Sequence, residues 1–170
     1  NNRFKPTDKF LYFASKINVL NTYKNFLEYE KNKWVKKSEV KNNKHKEKNF
    51  SKIIRSFLNT KYLWGGKSAY GIDCSALIQI YYYYNDLFFE RDTKDQIKSI
   101  KAIPKKDIYD KKRLIFWKGH VAYCLNKKYL VHAYGPKKKV LVMEIKKTIN
   151  EIEKKSKLKV IGVRKLNVIR

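Results

Sequence analysis

A junction between a glycine-rich turn and an apolar helix constrains the fold more than any other stretch of this chain. Residues 62–75 hold three of the six glycines, and residues 76–81 are predominantly apolar. Aspartate is a favoured N-cap residue, so Asp73 predicts a helix that begins at Cys74 and runs to about Tyr84. The rest of the chain must supply a surface that covers this helix.

Cys74 lies in the first turn of the predicted helix, on its apolar face. Leu77, Ile78 and Tyr81 follow it by three, four and seven residues, which is the spacing of one helix face. The helix dipole and the free N–H groups of the first turn stabilise a thiolate, so we expect a lowered pKa and a reactive thiol. The alternative is a small hydrophobic residue that begins a core helix. The glycines upstream and two histidines downstream favour the reactive thiol.

Composition predicts one domain of ordinary size with a small additional piece. The chain has 170 residues, of which 43% are hydrophobic, and no apolar stretch is long enough to cross a membrane. The net charge is +26, from 41 Lys and Arg against 15 Asp and Glu. Such a charge can indicate nucleic acid, an anionic polymer or a membrane surface. Because the lysines are spread along the whole chain, we expect a solvated basic surface, no dedicated nucleic-acid site and a monomer.

The first 40 residues predict a small β module. Because the first residue is Asn1 and not Met, we expect this module to be incomplete at its start. Residues 41–48 are polar and read as a linker, in which His45 is expected to be solvated. Four short runs predict strands; they are 10–14, 16–20, 26–30 and 33–36.

Residues 49–170 predict an α+β domain, with helices first and a mostly antiparallel sheet second. Apolar residues at helical spacing predict a helix over 50–58, and a capped short helix follows at 92–97. Residues 104–112 read as a connecting loop. The remaining predicted elements are strands at 114–117, 120–125, 129–134 and 140–145, a helix at 148–155 and a strand at 158–166.

Two histidines, His120 and His132, lie on neighbouring predicted strands. A three-residue hairpin loop would pair Leu125 with Tyr129 and bring His132 opposite Ala122, diagonal to His120 on one face. A two-residue loop would send the histidines to opposite faces. We therefore predict a loop of odd length, although two hydrogen-bonded strand histidines with no catalytic role are an equal alternative.

The three side chains together could form a nucleophile, a base and an orienting group. In this scheme Cys74 attacks, His120 takes its proton, and His132 holds the ring of His120. A zinc site is the rival chemistry, but it needs a further ligand, and the characteristic metal-binding spacings are absent from the sequence. The second cysteine, Cys124, is four residues from His120, about 13 Å along a strand, so we assign it to the core or sheet surface. Two cysteines are too few for a disulfide scaffold.

Four motifs in order resemble the NlpC-type cell-wall cysteine peptidases. The resemblance covers about residues 48–166 and implies a papain-like fold, with a cysteine helix packed on an antiparallel sheet that carries the histidines. It implies catalysis without a metal or cofactor. The motifs are Tyr62-Leu63-Trp64-Gly65-Gly66, Gly71-Ile72-Asp73-Cys74-Ser75, Phe116-Trp117-Lys118-Gly119-His120-Val121-Ala122 and Val131-His132-Ala133.

Within this family the chain is most similar to the γ-D-glutamyl-L-diamino-acid endopeptidases of the dipeptidyl-peptidase VI type. The resemblance implies hydrolysis of the γ-D-glutamyl–diamino acid bond in peptidoglycan stem peptides or muropeptides, in the bacterial cytoplasm or cell envelope. These enzymes carry SH3-like domains before the peptidase, which implies that residues 1–40 are part of such a domain. The alternatives are a non-catalytic basic module that binds peptidoglycan or nucleic acid, and an amide hydrolase or acyltransferase with the same thiol chemistry.

The resemblance also implies roles for residues around the nucleophile. Cys74, His120 and His132 become the catalytic residues. Tyr62 would lie beside Cys74 and help to hold the oxyanion. The substrate-binding residues would be Asp73 and Ser75, which bind the free α-amine of L-Ala, and Trp64, which lines the pocket unless it is a core aromatic residue.

The chain departs from the family pattern at two places. Ala76 stands where a glycine is common after Asp-Cys-Ser, and Lys112-Arg113 stand where Gly-Asp usually precedes the next strand. The first departure could crowd the helix, and the second weakens the expected turn. Neither touches a proposed catalytic residue.

Overall fold

The computed structural model describes residues 4–110 and 112–166, and it divides into two compact units, Asn1–Lys46 and Glu47–Arg170. The division falls inside the segment 41–48 that the sequence predicts to be a linker. His45 is exposed there.

The first unit contains one three-stranded antiparallel sheet with the order β1-β2-β3. The strands are β1 (Asn21–Tyr23), β2 (Phe26–Glu30) and β3 (Lys33–Lys36). The predicted strands at 26–30 and 33–36 are therefore confirmed. Those at 10–14 and 16–20 are wrong, because both segments lie outside the sheet and most of their apolar side chains remain exposed, as in Phe10 and Leu20.

The second unit places short helices before and after a six-stranded sheet. Its elements are α1 (Phe50–Ser56), β4 (Lys67–Ser68), β5 (Gly71–Ile72), α2 (Cys74–Tyr84), α3 (Thr93–Ser99), β6 (Ala102–Ile103), β7 (Arg113–Trp117), β8 (His120–Cys124), β9 (Tyr129–Tyr134), β10 (Lys139–Glu144), α4 (Ile145–Ser156) and β11 (Gly162–Lys165).

The large sheet is antiparallel throughout, with the order β10-β9-β8-β7-β11-β6. The cysteine helix α2 packs against the central strands β8 and β9, and α4 packs against β10. The strands β7, β8 and β9 are buried on both faces, because nearly all of their consecutive residues are buried. The unit is therefore a mixed α and antiparallel-β domain, as the sequence predicts.

Several boundaries differ from the sequence prediction for local reasons. The last helix begins at Ile145 and not at Thr148, because β10 ends at Glu144 and the fully buried Ile145 anchors the first turn. The final strand covers only Gly162–Lys165 of the predicted 158–166. The predicted loop at 104–112 contains a 3-10 helix, Lys105–Tyr109. The short strands β4, β5 and β6 have two residues each, too few to leave a sequence pattern.

The two departures from the family pattern are accommodated by the backbone. Ala76 is buried inside α2, where its N–H donates to the N-cap side chain of Asp73 at 2.8 Å. Lys112 adopts a left-handed conformation with φ 62°, which supplies the turn before β7 without glycine.

Candidate active site

Cys74 is the first residue of α2 and lies almost fully inside the domain. Its side chain is 5% exposed, and its Sγ donates to the carbonyl oxygen of Gly119 at 3.9 Å. Burial raises the pKa of Cys74 to about 11, and the charge of Asp73 adds to this, although the backbone N–H of Val121 and those of the first turn favour the thiolate. The prediction of a lowered pKa is therefore wrong. The loss of solvation outweighs the helix N-terminus, and the resting thiol keeps its proton at neutral pH.

The hairpin between β8 and β9 brings the two histidines together. Tyr123 pairs with Val131 and Cys124 with Leu130, and the N–H of Leu125 donates to the carbonyl of Tyr129 at 2.9 Å. This is the predicted three-residue loop. It places the ring nitrogens Nε2 of His120 and Nδ1 of His132 2.9 Å apart.

Both histidines are neutral at pH 7 in this environment. Burial lowers the pKa of His120 to about 4. Burial, and then repulsion from a protonated His120 ring, hold the pKa of His132 well below its ordinary value. His132 is fully buried, and its ring stacks on that of Tyr134 with the centroids 4.6 Å apart.

The proposed nucleophile lies against the start of β8, the strand that begins with His120. The Cys74 thiol contacts the backbone on both sides of His120, at Gly119 and at Val121. Because the thiol and both imidazoles are neutral, His120 can act as the general base that removes the thiol proton as attack begins.

Asp73 is held by a dense set of donors that the sequence only partly reveals. Its Oδ1 accepts from the N–H of Ala76 at 2.8 Å and its Oδ2 from that of Gly65 at 2.9 Å. The guanidinium of Arg91 binds both oxygens, through Nη1 at 3.1 Å and Nη2 at 2.6 Å. Burial alone would raise the pKa of Asp73, but the hydrogen bonds and charge of Arg91, with those from Ala76 and Ser75, leave it lowered.

Arg91 is a site residue that the sequence reasoning missed. It also donates to the Ser75 hydroxyl at 2.7 Å, while that hydroxyl donates to Asp73 at 3.1 Å. Gln96 of α3 adds a hydrogen bond from Nε2 to the Ser75 carbonyl at 3.0 Å. The only local signal for Arg91 is its place directly before Asp92, the N-cap residue of α3.

Tyr62 and Trp64 occupy different environments. Tyr62 lies close enough to Cys74 and Asp73 for their charges to raise the pKa of its hydroxyl, after burial as the larger cause. The hydroxyl therefore stays protonated and can donate. Trp64 is 85% exposed, so the core-aromatic alternative is wrong.

The second cysteine, Cys124, is a core residue. Cys124 is fully buried, with its Sγ 3.5 Å from the carbonyl oxygen of Ile108, so its assignment to the core is confirmed.

Within residues 4–110 and 112–166, His, Cys, Asp and Glu side chains form no group of three that could hold a metal ion. In the same part of the chain, every helix is too short or too polar to span a membrane.

Comparison with known proteins gives the family. Residues 59–157 match the model of the NlpC/P60 family, and this segment contains Cys74, His120 and His132. The chain belongs to the NlpC/P60 family.

Two curated relatives extend the comparison. A protein of Lysinibacillus sphaericus named dipeptidyl-peptidase 6 is 39% identical over 82 residues, which cover 46% of this chain and 29% of the relative. A protein of Bacillus subtilis (strain 168) named gamma-D-glutamyl-L-lysine dipeptidyl-peptidase is 32% identical over 104 residues, 57% of this chain and 35% of the relative. The chain thus spans about a third of the length of these relatives.

A solved structure supports the fold. The NlpC/P60 family protein from Bacillus cereus ATCC 10987 superposes with a TM-score of 0.69 at 21% identity, over 89% of this chain and 53% of that chain. At this identity the likeness concerns the NlpC/P60 fold, with a helix packed on an antiparallel sheet.

Proposed function

We propose that this chain is a cysteine peptidase that hydrolyses the γ-D-glutamyl–diamino acid bond of peptidoglycan-derived peptides. The proposal rests on two observations: the Cys74 thiol contacts the carbonyl of Gly119, the residue before His120, and His120 is hydrogen-bonded to His132. The name of the Bacillus subtilis relative, gamma-D-glutamyl-L-lysine dipeptidyl-peptidase, supports the choice of bond. We propose that the protein acts as a monomer on stem peptides.

In the proposed reaction the Cys74 Sγ attacks the γ-carbonyl carbon of D-Glu while Nδ1 of His120 takes the thiol proton. His120 then gives this proton to the leaving amine of the diamino acid, which breaks the amide bond and leaves a thioester. Water hydrolyses the thioester with His120 again as base, and the thiol is restored. His132 holds the ring of His120 throughout through the Nε2–Nδ1 hydrogen bond.

The developing oxyanion needs donors near the nucleophile. We assign this role to the Tyr62 hydroxyl and to backbone N–H groups at the start of α2. Tyr62 suits it because its raised pKa keeps the hydroxyl proton in place.

Asp73 and Ser75 are the proposed anchors of the free α-amine of L-Ala. Both oxygens of Asp73 already accept hydrogen bonds, so a substrate ammonium would share them with Arg91. The exposed ring of Trp64 is proposed to line the pocket on its open side.

We further propose that the sheet β1-β2-β3 is part of an SH3-like domain. Its support is a meander of short antiparallel strands joined by tight turns, in which Lys24 and Asn32 adopt left-handed conformations with φ 49° and 61°.

The test is incubation of the purified chain with L-Ala-γ-D-Glu-meso-diaminopimelate, followed by mass spectrometry. We expect release of L-Ala-D-Glu, and a loss of at least about 10³-fold in kcat/KM for Cys74→Ala. Cys124→Ala, which alters the other buried cysteine, is the matched control and should retain activity once its fold is verified by circular dichroism.

Two further experiments test the proposed amine anchor and distinguish the peptidase from a basic binding module. Loss of cleavage when the peptide is N-acetylated would support an amine anchor at Asp73 and Ser75. Salt-dependent binding of peptidoglycan without cleavage, unchanged by Cys74→Ala, would overturn the peptidase and favour a basic binding module.

A further inference from the structure

His132 has a second contact, on the side of its ring that faces away from His120. Its Nδ1 lies 2.9 Å from Nε2 of His120, and its Nε2 lies 3.3 Å from the Sδ of Met143. His132 is 0% exposed, so both ring nitrogens are matched inside the protein and not by bulk water.

The sheet register explains how Met143 reaches this position. Leu141 of β10 is directly opposite His132 of β9, and Met143 is opposite Leu130. Residues 141 and 143 are two apart on one strand and so share a face with His132. Both are partly buried against the core, whereas Val142 between them is 41% exposed.

A thioether sulfur restricts where the protons of the histidine pair can lie. A neutral imidazole carries one N–H and one lone pair, and a thioether can accept a hydrogen bond but cannot donate one. The Nε2 of His132 therefore carries the proton and donates to Met143. The Nδ1 of His132 then has the lone pair, so the proton between the rings belongs to Nε2 of His120.

We propose that Met143 is a positioning residue, which fixes the tautomer of His132 and through it leaves the lone pair of His120 on Nδ1. The consequence for catalysis rests on the proposed function, in which this lone pair takes the thiol proton of Cys74. The tautomer assignment itself does not depend on that function.

The assigned tautomer suits proton transfer from the thiol. When the S–H bond of Cys74 breaks and an N–H bond forms at Nδ1 of His120, the new imidazolium still donates its Nε2–H to the lone pair of His132. In the opposite tautomer, Nδ1 of His132 would donate to His120, whose own proton would then lie on Nδ1. That nitrogen could not accept the thiol proton.

Burial makes the choice of tautomer matter. The pKa values of both histidines are lowered, so each ring has a single N–H at neutral pH. Without an acceptor at Met143, the Nε2–H of His132 would face an apolar side chain, and the opposite tautomer would gain population.

The sulfur of Met143 can be replaced without changing any other residue, because Met143 is the only methionine of the chain. Incorporation of norleucine exchanges the sulfur for a methylene group and keeps the shape, and selenomethionine is the matched control that keeps an acceptor. Met143→Leu is the genetic counterpart, with Val142→Leu on the exposed side of the same strand as its control.

The first measurement is ¹⁵N NMR of the histidine rings in the full chain, in which protonated and lone-pair nitrogens resonate in separate ranges. His45 is identified by His45→Asn. In the methionine and selenomethionine proteins we expect protons on Nε2 of both His120 and His132. Norleucine and Met143→Leu should shift both rings toward Nδ1–H, while Val142→Leu leaves them unchanged.

The second measurement is kcat/KM for the stem peptide. We expect norleucine and Met143→Leu to lower it by about 10- to 100-fold, mainly through kcat, because the orientation of a histidine depends on the partner of its other nitrogen. Met143→Gln, whose side-chain carbonyl can accept the same N–H, should restore part of the activity and the Nε2–H tautomer.

The outcomes separate the two proposals. A proton on Nδ1 of His132 in the methionine protein, or unchanged ring shifts with norleucine, would overturn the role of Met143. The expected tautomers in a protein that does not cleave the peptide would support the tautomer assignment and overturn the proposed function.

Discussion

At the scale of single residues, Gly66 is the position where the backbone leaves no room for a side chain. A Cβ there would lie 2.5 Å from the carbonyl oxygen of Gly71 and 2.9 Å from that of Leu63. The carbonyl of Gly66 also accepts from the N–H of Asp73 at 3.2 Å, so a shift at Gly66 moves the N-cap of α2. The double glycine thus contributes to the position of the nucleophile.

We therefore expect Gly66→Ala to lower the free energy of unfolding by about 1–3 kcal/mol, because backbone atoms must move to relieve the overlap. Urea denaturation followed by circular dichroism measures the change. Gly65→Ala is the control. Its Cβ would meet open space, and only the left-handed φ of 76° opposes it, for about 1 kcal/mol. Equal losses for the two variants would show that crowding at Gly66 is not the cause.

At the scale of elements, the N-terminus of α2 is stabilised by an ion pair between Arg91 and Asp73. The side chains are 29% and 8% exposed, so removal of the guanidinium leaves a mostly buried carboxylate without its charged partner. We expect Arg91→Ala to cost about 2–4 kcal/mol of the free energy of unfolding, measured by urea denaturation.

Two controls test this explanation. Arg55→Ala removes an exposed arginine from α1 and should change stability by less than about 0.5 kcal/mol. In an Asp73→Asn background, the loss caused by Arg91→Ala should shrink, because no buried charge is left unpaired. A loss of the same size in both backgrounds would contradict the ion-pair explanation.

The same helix shows how far sequence reasoning can reach. Its limits at Cys74 and Tyr84 follow from a local cap and a local apolar run, and both are confirmed. The meeting of His120 and His132 also follows from local information, since loop length sets the hairpin register. Arg91 could not be foreseen, because its contact with Asp73 depends on how segments 18 residues apart pack together. The contact of Met143 with His132 depends on the register of β9 with β10, which are joined through a 3-10 helix, Gly135–Lys137, and not by a tight hairpin loop of predictable register.

The wrong predictions share a physical cause, because each was made from a segment's own residues and not from what packs against that segment. The runs at 10–14 and 16–20 have strand-like composition, but a strand forms only where a neighbouring strand completes its hydrogen bonds, and composition does not report that. The expected low pKa of Cys74 follows from the helix N-terminus alone. The packing of α2 on the sheet, which buries the thiol, opposes that effect and prevails.

At the scale of the whole molecule, the paired histidines His120 and His132 link stability to pH. The pKa of His120 is about 4 in the folded protein, and that of His132 is also well below its ordinary value, whereas an unfolded histidine titrates near 6.5. Below pH 6.5 these histidines therefore bind protons in the unfolded chain but not in the folded chain. Each such proton lowers the free energy of unfolding by about 1.4 kcal/mol per pH unit until the folded histidine also titrates.

We therefore expect the Tm of the unit formed by residues 47–170 to be nearly constant from pH 8 to 7 and to fall steadily from about pH 6.5 toward 4. Asp73, whose pKa is lowered, acts in a lower window, since its stabilisation is lost only as the pH falls below the ordinary carboxyl range. The measurement is differential scanning calorimetry at constant ionic strength, which keeps the screening of repulsion within a chain of net charge +26 the same at every pH. His120→Asn should flatten the decline between pH 6.5 and 4, while His45→Asn, which alters a histidine outside residues 47–170, should leave it unchanged. An equally steep decline in His120→Asn would mean that groups other than this histidine carry the linkage.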